Sequence, residues 1–220
     1  VSNERIDVTK NIYDENDRIA AETRQVFDQK SVFAVNVMGA PGAGKTSSII
    51  QLINNLPQIR SYVLEGDIES DIDTVKMKSL GIETRQINTY GACHLDAPTV
   101  LKAATDLSLA EPGLLFIENI GNLVCPAEFM IGEHIKLLIC SVAEGSDKPY
   151  KYPLAFEKAQ MILLTKIDLK SYVDFDDAFF GKGVQALNKT AAVFEVNART
   201  GDGFAAAARH IEELARRARS

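Results

Sequence analysis

At 220 residues, with 46% hydrophobic and 25% charged side chains, the chain has the composition of a soluble globular protein with room for one substantial core. A net charge of −6, with one basic cluster at Arg209, Arg216, Arg217 and Arg219, argues against nucleic acid as a partner, because phosphate contacts need concentrated cations. No apolar run approaches the ~20 residues needed to span a bilayer, so no membrane association is expected. The opening VSNERIDVTK lacks the apolar centre of a secretory signal, and three cysteines do not make an even disulfide framework. A reducing cytoplasm is the expected compartment.

From about Val8 to Lys30 the pattern is helical: Ile12, Ile19 and Val26 recur every seven residues, widened by Ala20 and Phe27. Residues 1–30 are therefore read as an N-terminal helical arm. Strands and helices then alternate. Apolar, β-rich runs lie at Val32–Met38, Tyr62–Leu64, Thr84–Asn88, Leu114–Ile117, Ile135–Val142, Met161–Leu164 and Ala192–Val196. Helical patterns separate most of them, among them Lys45–Asn55, Asp71–Ser79, Asp174–Leu187 and Gly203–Ala218. Near-continuous apolar strands separated by helices indicate a doubly wound α/β domain, its mostly parallel sheet of about seven strands buried on both faces. The basic cluster falls at the end of the last helix, where positive charge is favourable.

After the first strand stands GAPGAGKT, Gly39 to Thr46, which fits the phosphate-binding loop G-x-x-x-x-G-K-[ST] and is followed by the helical SSIIQLINNL. Gly39, Gly42 and Gly44 let backbone N–H groups turn inward around phosphate oxygens, with Pro41 and Ala43 as the other nucleotide-binding residues of the loop. The helix start at Ser47 adds partial positive charge. Lys45 is expected on the β- and γ-phosphates and the Thr46 hydroxyl on Mg²⁺. This pattern makes residues 31–220 a P-loop GTPase domain once the base is considered. TKID, Thr165 to Asp168, ends a later strand and resembles the [NT]-K-x-D element that reads guanine. A carboxylate at Asp168 can accept from both guanine N1–H and N2–H, and Lys166 lies along the nucleotide. The later NARTG offers Ala198 where such proteins carry Ser-Ala-Lys; Asn197 and Arg199 do not match.

Two carboxylates follow other strands. EGD places Asp67 after Tyr62–Leu64, and ENIG places Glu118 and Gly121 after Leu114–Ile117, in the manner of a D-x-x-G switch with Glu for Asp. Ligands of open α/β sheets gather at strand C-termini. Asp67 and Glu118 are thus the candidates for Mg²⁺ contacts beside Thr46, and the Gly121 amide is the candidate γ-phosphate sensor. Glu65 is read equally well as part of a solvated acidic loop.

TYGACHLDAP sets Cys93 directly before His94 at another strand end, and NLVCP brings Cys125 close in sequence to the switch element. Two thiolates and an imidazole suit Zn²⁺ or Ni²⁺. Three ligands leave a shell to be completed by water or by a second copy. There is no C-x-x-C, and a core cysteine is common, so residue chemistry alone leaves metal site and packed turn evenly matched. Cys140, inside IKLLICSV, is read as core; His134 and His210, with no ligand pattern beside them, as surface or helix residues. Asp147 and Lys148 of EGSDKP fit a loop near the nucleotide or a solvated turn.

Taken together, GAPGAGKT, EGD, GACHLDA, ENIGNLVCPAEF, EGSDKPYKYP and TKIDL occur in the order and spacing of the HypB family, SIMIBI-class P-loop GTPases that help insert nickel into hydrogenases. GACHLDA and ENIGNLVCPA discriminate, since generic P-loop proteins have neither. The resemblance extends from about Val8 to the last helix. It implies hydrolysis of GTP to GDP and phosphate, slow without a partner, with Lys45, Thr46 and Glu118 as the catalytic set and Mg²⁺ as cofactor. It also implies a cytoplasmic homodimer holding Ni²⁺ or Zn²⁺ at its interface through Cys93, His94 and Cys125, and a partner chaperone of hydrogenase maturation. Departures are the lack of a Cys-rich or His-rich N-terminal nickel tract, Pro98 and Lys102 where some members carry further histidines, and Tyr90 before Gly91. Transfer through one interface site is therefore expected rather than a large nickel store. A UreG-like urease nickel GTPase is a rival, weakened because Cys125-Pro126 is followed by Ala127 and not His. A P-loop small-molecule kinase and a zinc-stabilised dimerisation module are rivals from other classes.

Overall fold

A computed structural model describes residues 8–66, 77–89, 91–107, 109 and 112–219, with backbone only for 8–12. Helix α1 (Val8–Gln29) leads into strand β1 (Val32–Gly39), followed by α2 (Lys45–Asn54) and β2 (Arg60–Glu65). Then come β3 (Glu83–Gln86), α3 (Ala97–Thr105), β4 (Gly113–Glu118), the short α4 (Cys125–Glu128) and β5 (Ile135–Ser141). The short α5 (Lys148–Lys151) and α6 (Pro153–Lys158), then β6 (Met161–Thr165), α7 (Asp177–Leu187), β7 (Ala192–Glu195) and α8 (Phe204–Ala218) complete it. The sheet has seven strands in the order β3-β2-β4-β1-β5-β6-β7, every paired neighbour parallel. Gly39, Glu65, Glu118 and Thr165 thus end four strands on one side of the molecule.

Alternation along β1 explains why both faces must be covered. Phe33, Val35 and Val37 join the core with Ile49, Leu52, Phe204 and Ile211 of α2 and α8. Val32 and Ala34 join the opposite core with Phe27 of α1 and Val100 and Ala104 of α3. Met38 meets Phe156 and Phe180 further along that side. At roughly 25 cal/mol per Å² of apolar surface removed from water, such double burial drives the sheet to form. Asn36, fully buried in the same strand, breaks the apolar pattern.

The face α1 buries is rotated from the heptad positions. Asn16, Ala20, Thr23 and Phe27 are buried, while Ile19 and Val26 are half-buried at its edge. Two of the four are polar, and each has a partner: Asn16 Nδ2 donates to Met130 O at 2.8 Å, Asn16 Oδ1 accepts from Ala97 N at 3.0 Å, and the Thr23 hydroxyl donates to Ile19 O. Helix α3 has a starting signal of its own, with Asp96 accepting from Thr99 N at 3.0 Å and a proline in the first turn. Asp96 of GACHLDA is therefore a cap. Helix α7 begins at Asp177, later than Asp174, because Asp176 caps it by accepting from Phe179 N. Of the expected helix Asp71–Ser79, only its last three residues are described, and they are helical.

His134 differs from the surface or helix position read from its sequence surroundings. Its side chain is 9% exposed, Phe33 lies over the ring at 4.6 Å, and Nδ1 accepts from Ala34 N at 2.9 Å. The ring proton therefore sits on Nε2, which donates to Asp28 Oδ1 at 2.8 Å. Burial, with Arg24 nearby, holds its pKa below the ordinary value despite Asp28. An unfolded histidine takes up a proton below about 6.5, whereas the folded ring resists until lower pH. The unfolded state then binds more protons, so stability should fall as pH drops through that window. Urea unfolding between pH 7 and pH 5.5 should show a shallower decline for His134→Gln than for the wild type.

Gly203, the N-cap of α8, has φ +80°. A Cβ there would lie 2.0 Å from the Glu195 carbonyl oxygen, which is fixed backbone at the end of β7. Strain and clash together should make Gly203→Ala cost on the order of 3 kcal/mol, visible as a lower urea midpoint.

Candidate active site and metal centre

The P-loop turns on Gly42 (φ +75°) and Gly44 (φ +97°), conformations that side-chain-bearing residues rarely adopt. Gly39 has a different reason to be glycine, since a Cβ would come within 2.7 Å of Ile139 O on the neighbouring strand. The loop opens on a cavity of about 530 Å³ that Pro41, Lys45, Thr46, Glu118, Gly121 and Lys166 help to line. The Thr46 hydroxyl donates to Glu118 Oε1 at 3.0 Å, which puts two hard oxygen donors side by side. Glu118 is buried, 6% exposed, at the end of β4. Gly121 packs against Pro41 so tightly that a Cβ would lie 2.9 Å from its ring. An isolated bridge between Gly39 and Asn122 and the bond from Asn119 N to Val37 O stitch this segment to the P-loop strand. Asp67 and Tyr90 lie outside the described residues; Glu65 is 1% exposed, so its side chain is no part of a solvated loop.

A second cavity of about 350 Å³ adjoins the first, with Gly44, Ser47 and Lys166 lining both. Asp168, Asn197, Ala198 and Arg199 help to line the remainder. Lys166 sits at φ +58°, and its Nζ donates to Gly42 O at 2.7 Å. Thr165, the first residue of TKID, is buried, and its hydroxyl donates to Ala43 O at 2.7 Å, with Cys140 O at 3.2 Å. The threonine therefore keeps a direct tie between this loop and the P-loop. Arg199 Nη1 is 3.9 Å from Asp168 Oδ2, and Asn197 Oδ1 accepts from Arg199 N to shape the turn. Asp147 and Lys148 line neither cavity; they open α5 as a turn.

Cys93, His94 and Cys125 come together. Their ligand atoms lie within 4.8 Å of one another, the one such cluster among the described residues. Cys93 Sγ is 3.1 Å from Cys125 Sγ and 3.4 Å from His94 Nδ1. Cys93 is exposed and the other two are half-exposed. The bond from Cys93, with burial, raises the Cys125 thiol pKa; burial lowers that of His94, favouring the neutral imidazole that a metal needs. Phe129 stacks on His94 at 4.0 Å and on Tyr13 of α1 at 4.9 Å. Asn122 Nδ2 donates to Cys93 O, so the segment carrying Gly121 also holds the cysteine loop. Cys140 is elsewhere, buried in β5, where burial pushes its thiol strongly upward.

The nucleotide-binding domain of the CobW/HypB/UreG family matches residues 33–195. The hydrogenase maturation factor HypB of Rhizobium leguminosarum bv. viciae is 44% identical over 209 residues, covering 94% of this chain and 70% of that protein. The chain belongs to the HypB family. HypB from Archaeoglobus fulgidus superposes with a TM-score of 0.85 at 32% identity, over 91% of this chain and 98% of that one. HypB from Helicobacter pylori in complex with nickel does so with a TM-score of 0.88 at 29% identity, over 92% and 96%. The seven-stranded parallel sheet is thus the HypB P-loop architecture. The chain spans about two thirds of the length of several bacterial HypB relatives. No helix among the described residues is long and apolar enough to cross a membrane.

What the sequence reading missed is the buried polar scaffolding. Asn36, Asn119, Glu133 and Lys136 are each under 7% exposed, and all are bonded to one another in series. The one available signal was a lysine and an asparagine inside otherwise apolar strands, where an unpaired polar group is costly.

Proposed function

We propose that the chain is a GTP-hydrolysing nickel metallochaperone of hydrogenase maturation, acting in a reducing cytoplasm. The observation that carries this reading is the convergence of Cys93, His94 and Cys125 on a segment that begins at the phosphate cavity. One stretch of chain runs from Glu118 and Gly121, lining that cavity, to Cys125 in the cluster. The nickel bound to the Helicobacter pylori relative supports nickel as the cargo; two thiols and an imidazole also accept zinc.

In this reading the P-loop amides and Lys45 hold the phosphates, and Asp168 accepts from the guanine edge with Lys166 along the ring. Thr46 and Glu118, already adjacent, and Asp67 would hold Mg²⁺, which would neutralise charge on the phosphates when bound. Water attacks the γ-phosphate, and the chain contributes mainly positioning and charge from Lys45. The Gly121 amide reads the γ-phosphate; its loss on hydrolysis relaxes the segment through Cys125. The exposed cluster is a three-ligand site, so a second copy facing it completes the shell. Val124 and Met130, 49% and 42% exposed beside it, supply apolar surface for that contact. A partner chaperone receives or supplies the metal.

Nickel affinity measured by chelator competition, on protein loaded with GDP or with a non-hydrolysable GTP analogue, tests the reading. Specific binding with different affinities in the two states is expected. Equal affinities, or no specific nickel binding, would sink it.

A further inference from the structure

Four polar side chains run through the core from the phosphate cavity to the thiol cluster without a gap. Asn119 lines the cavity; its Oδ1 accepts from Ile120 N at 2.9 Å and from Leu95 N at 3.0 Å, the residue after His94. Its Nδ2 donates to Asn36 Oδ1 at 3.1 Å, and Asn36 Nδ2 donates to Glu133 Oε1 at 3.2 Å. Glu133 Oε1 pairs with Lys136 Nζ at 2.6 Å, and Oε2 accepts from Ile131 N at 2.7 Å. Lys136 Nζ then donates to Phe129 O at 2.6 Å and Pro126 O at 3.1 Å. Pro126 follows Cys125, and Phe129 carries the ring that stacks on His94.

A buried ion pair is by itself weak evidence of stabilisation, and one of this kind is often replaceable by apolar residues of similar volume with no loss of stability. What the chain does provide is connection: each side chain is bonded to the next, and the series ends on the amides of Leu95 and Ile120 at one end and the carbonyls of Pro126 and Phe129 at the other. The contacts reach both sides of the cluster and the segment facing the phosphates.

We propose that the Asn119–Asn36–Glu133–Lys136 chain transmits nucleotide state to the metal cluster, with Lys136 as the positioning residue of the Cys125 segment. The proposal rests on the nickel-switch reading given above. Contraction at Ile120 and Gly121 around a γ-phosphate draws on Asn119, which shifts the Leu95 amide and, through Asn36 and Glu133, the Lys136 ammonium. Cys93–His94 and Cys125 then change their separation together.

The test uses the whole chain and nickel(II) alone as the probe. In wild type, the affinity ratio between the GDP and GTP-analogue states is expected in the range of roughly 5- to 150-fold. In the double variant Glu133→Gln/Lys136→Met, nickel should still bind at the wild-type stoichiometry, while the ratio falls below about twofold. The thiolate-to-nickel absorption band should likewise stop responding to nucleotide. A merely structural role would lower the unfolding midpoint and leave the ratio intact, which would overturn the proposal. A wild-type ratio near one would instead overturn the nickel-switch reading and take this inference with it. If the double variant does not fold, hydrogen exchange on wild type decides. Nickel should alter protection of the Ile120 and Ile131 amides, neither next to a ligand in sequence, at constant nucleotide, and unchanged protection at both would overturn the coupling.

Discussion

Asp168→Asn should cost roughly three orders of magnitude in GTP affinity and restore tight binding to xanthosine triphosphate. Guanine presents two N–H donors to a carboxylate, N1–H and N2–H. An asparagine there keeps one acceptor and turns the other position into a donor, which would face the guanine N2–H donor to donor. Xanthine carries a carbonyl at that carbon and accepts the new donor. Asp168 lines the cavity adjoining the P-loop, and the loop that carries it is bonded to Ala43 and Gly42 through Thr165 and Lys166. Those two bonds tie the position of Asp168 to that of the P-loop. Equal loss for both nucleotides would mean that this cavity does not read the base.

Cys93→Ser and Cys125→Ser should each lower nickel affinity by on the order of 100-fold or more, since removing a direct ligand costs at least what outer-shell changes do. The contrast with Cys140→Ser makes the experiment specific. Cys140 is 1% exposed inside β5, away from the cluster, so its substitution should leave nickel binding intact and lower stability by about 1–2 kcal/mol for a buried hydroxyl. Thiol reagents should label Cys93 and Cys125 of the folded protein and spare Cys140. Retention of nickel in either cluster variant, read by chelator competition, would remove that thiol from the site.

The alternating apolar runs and helices made the architecture legible, because strand period, loop glycines and the P-loop motif all agree locally. The cluster was legible as residue types, yet spacing alone left it undecided: Cys93 and Cys125 are brought within 3.1 Å by the parallel register and the Asn122 tie. Helix α3 escaped notice because GACHLDAP draws attention as chemistry, although Asp96 and Pro98 are an ordinary helix start. The polar face of α1 escaped for another reason. Asn16 and Thr23 look like solvent-facing residues until their partners at Met130, Ala97 and Ile19 are known, and those partners are set by tertiary packing. His134 and Lys136 were hidden in the same way, since burial of a polar side chain depends on who answers it.

The strand order has a consequence for how this chain is born. β1, which carries the P-loop, sits between β4 and β5, and its pairing partners begin only at Gly113 and Ile135. At roughly 5–20 residues per second of synthesis, Val32–Gly39 leaves the ribosome on the order of 4–15 s before a neighbour exists to pair with it. During that wait an eight-residue strand, buried at every position once folded, has both edges open. The nucleotide loop is thus made early, and its strand is paired only once β4 and β5 have followed it. Truncated nascent chains ending before Gly113 should therefore depend on chaperones to stay soluble.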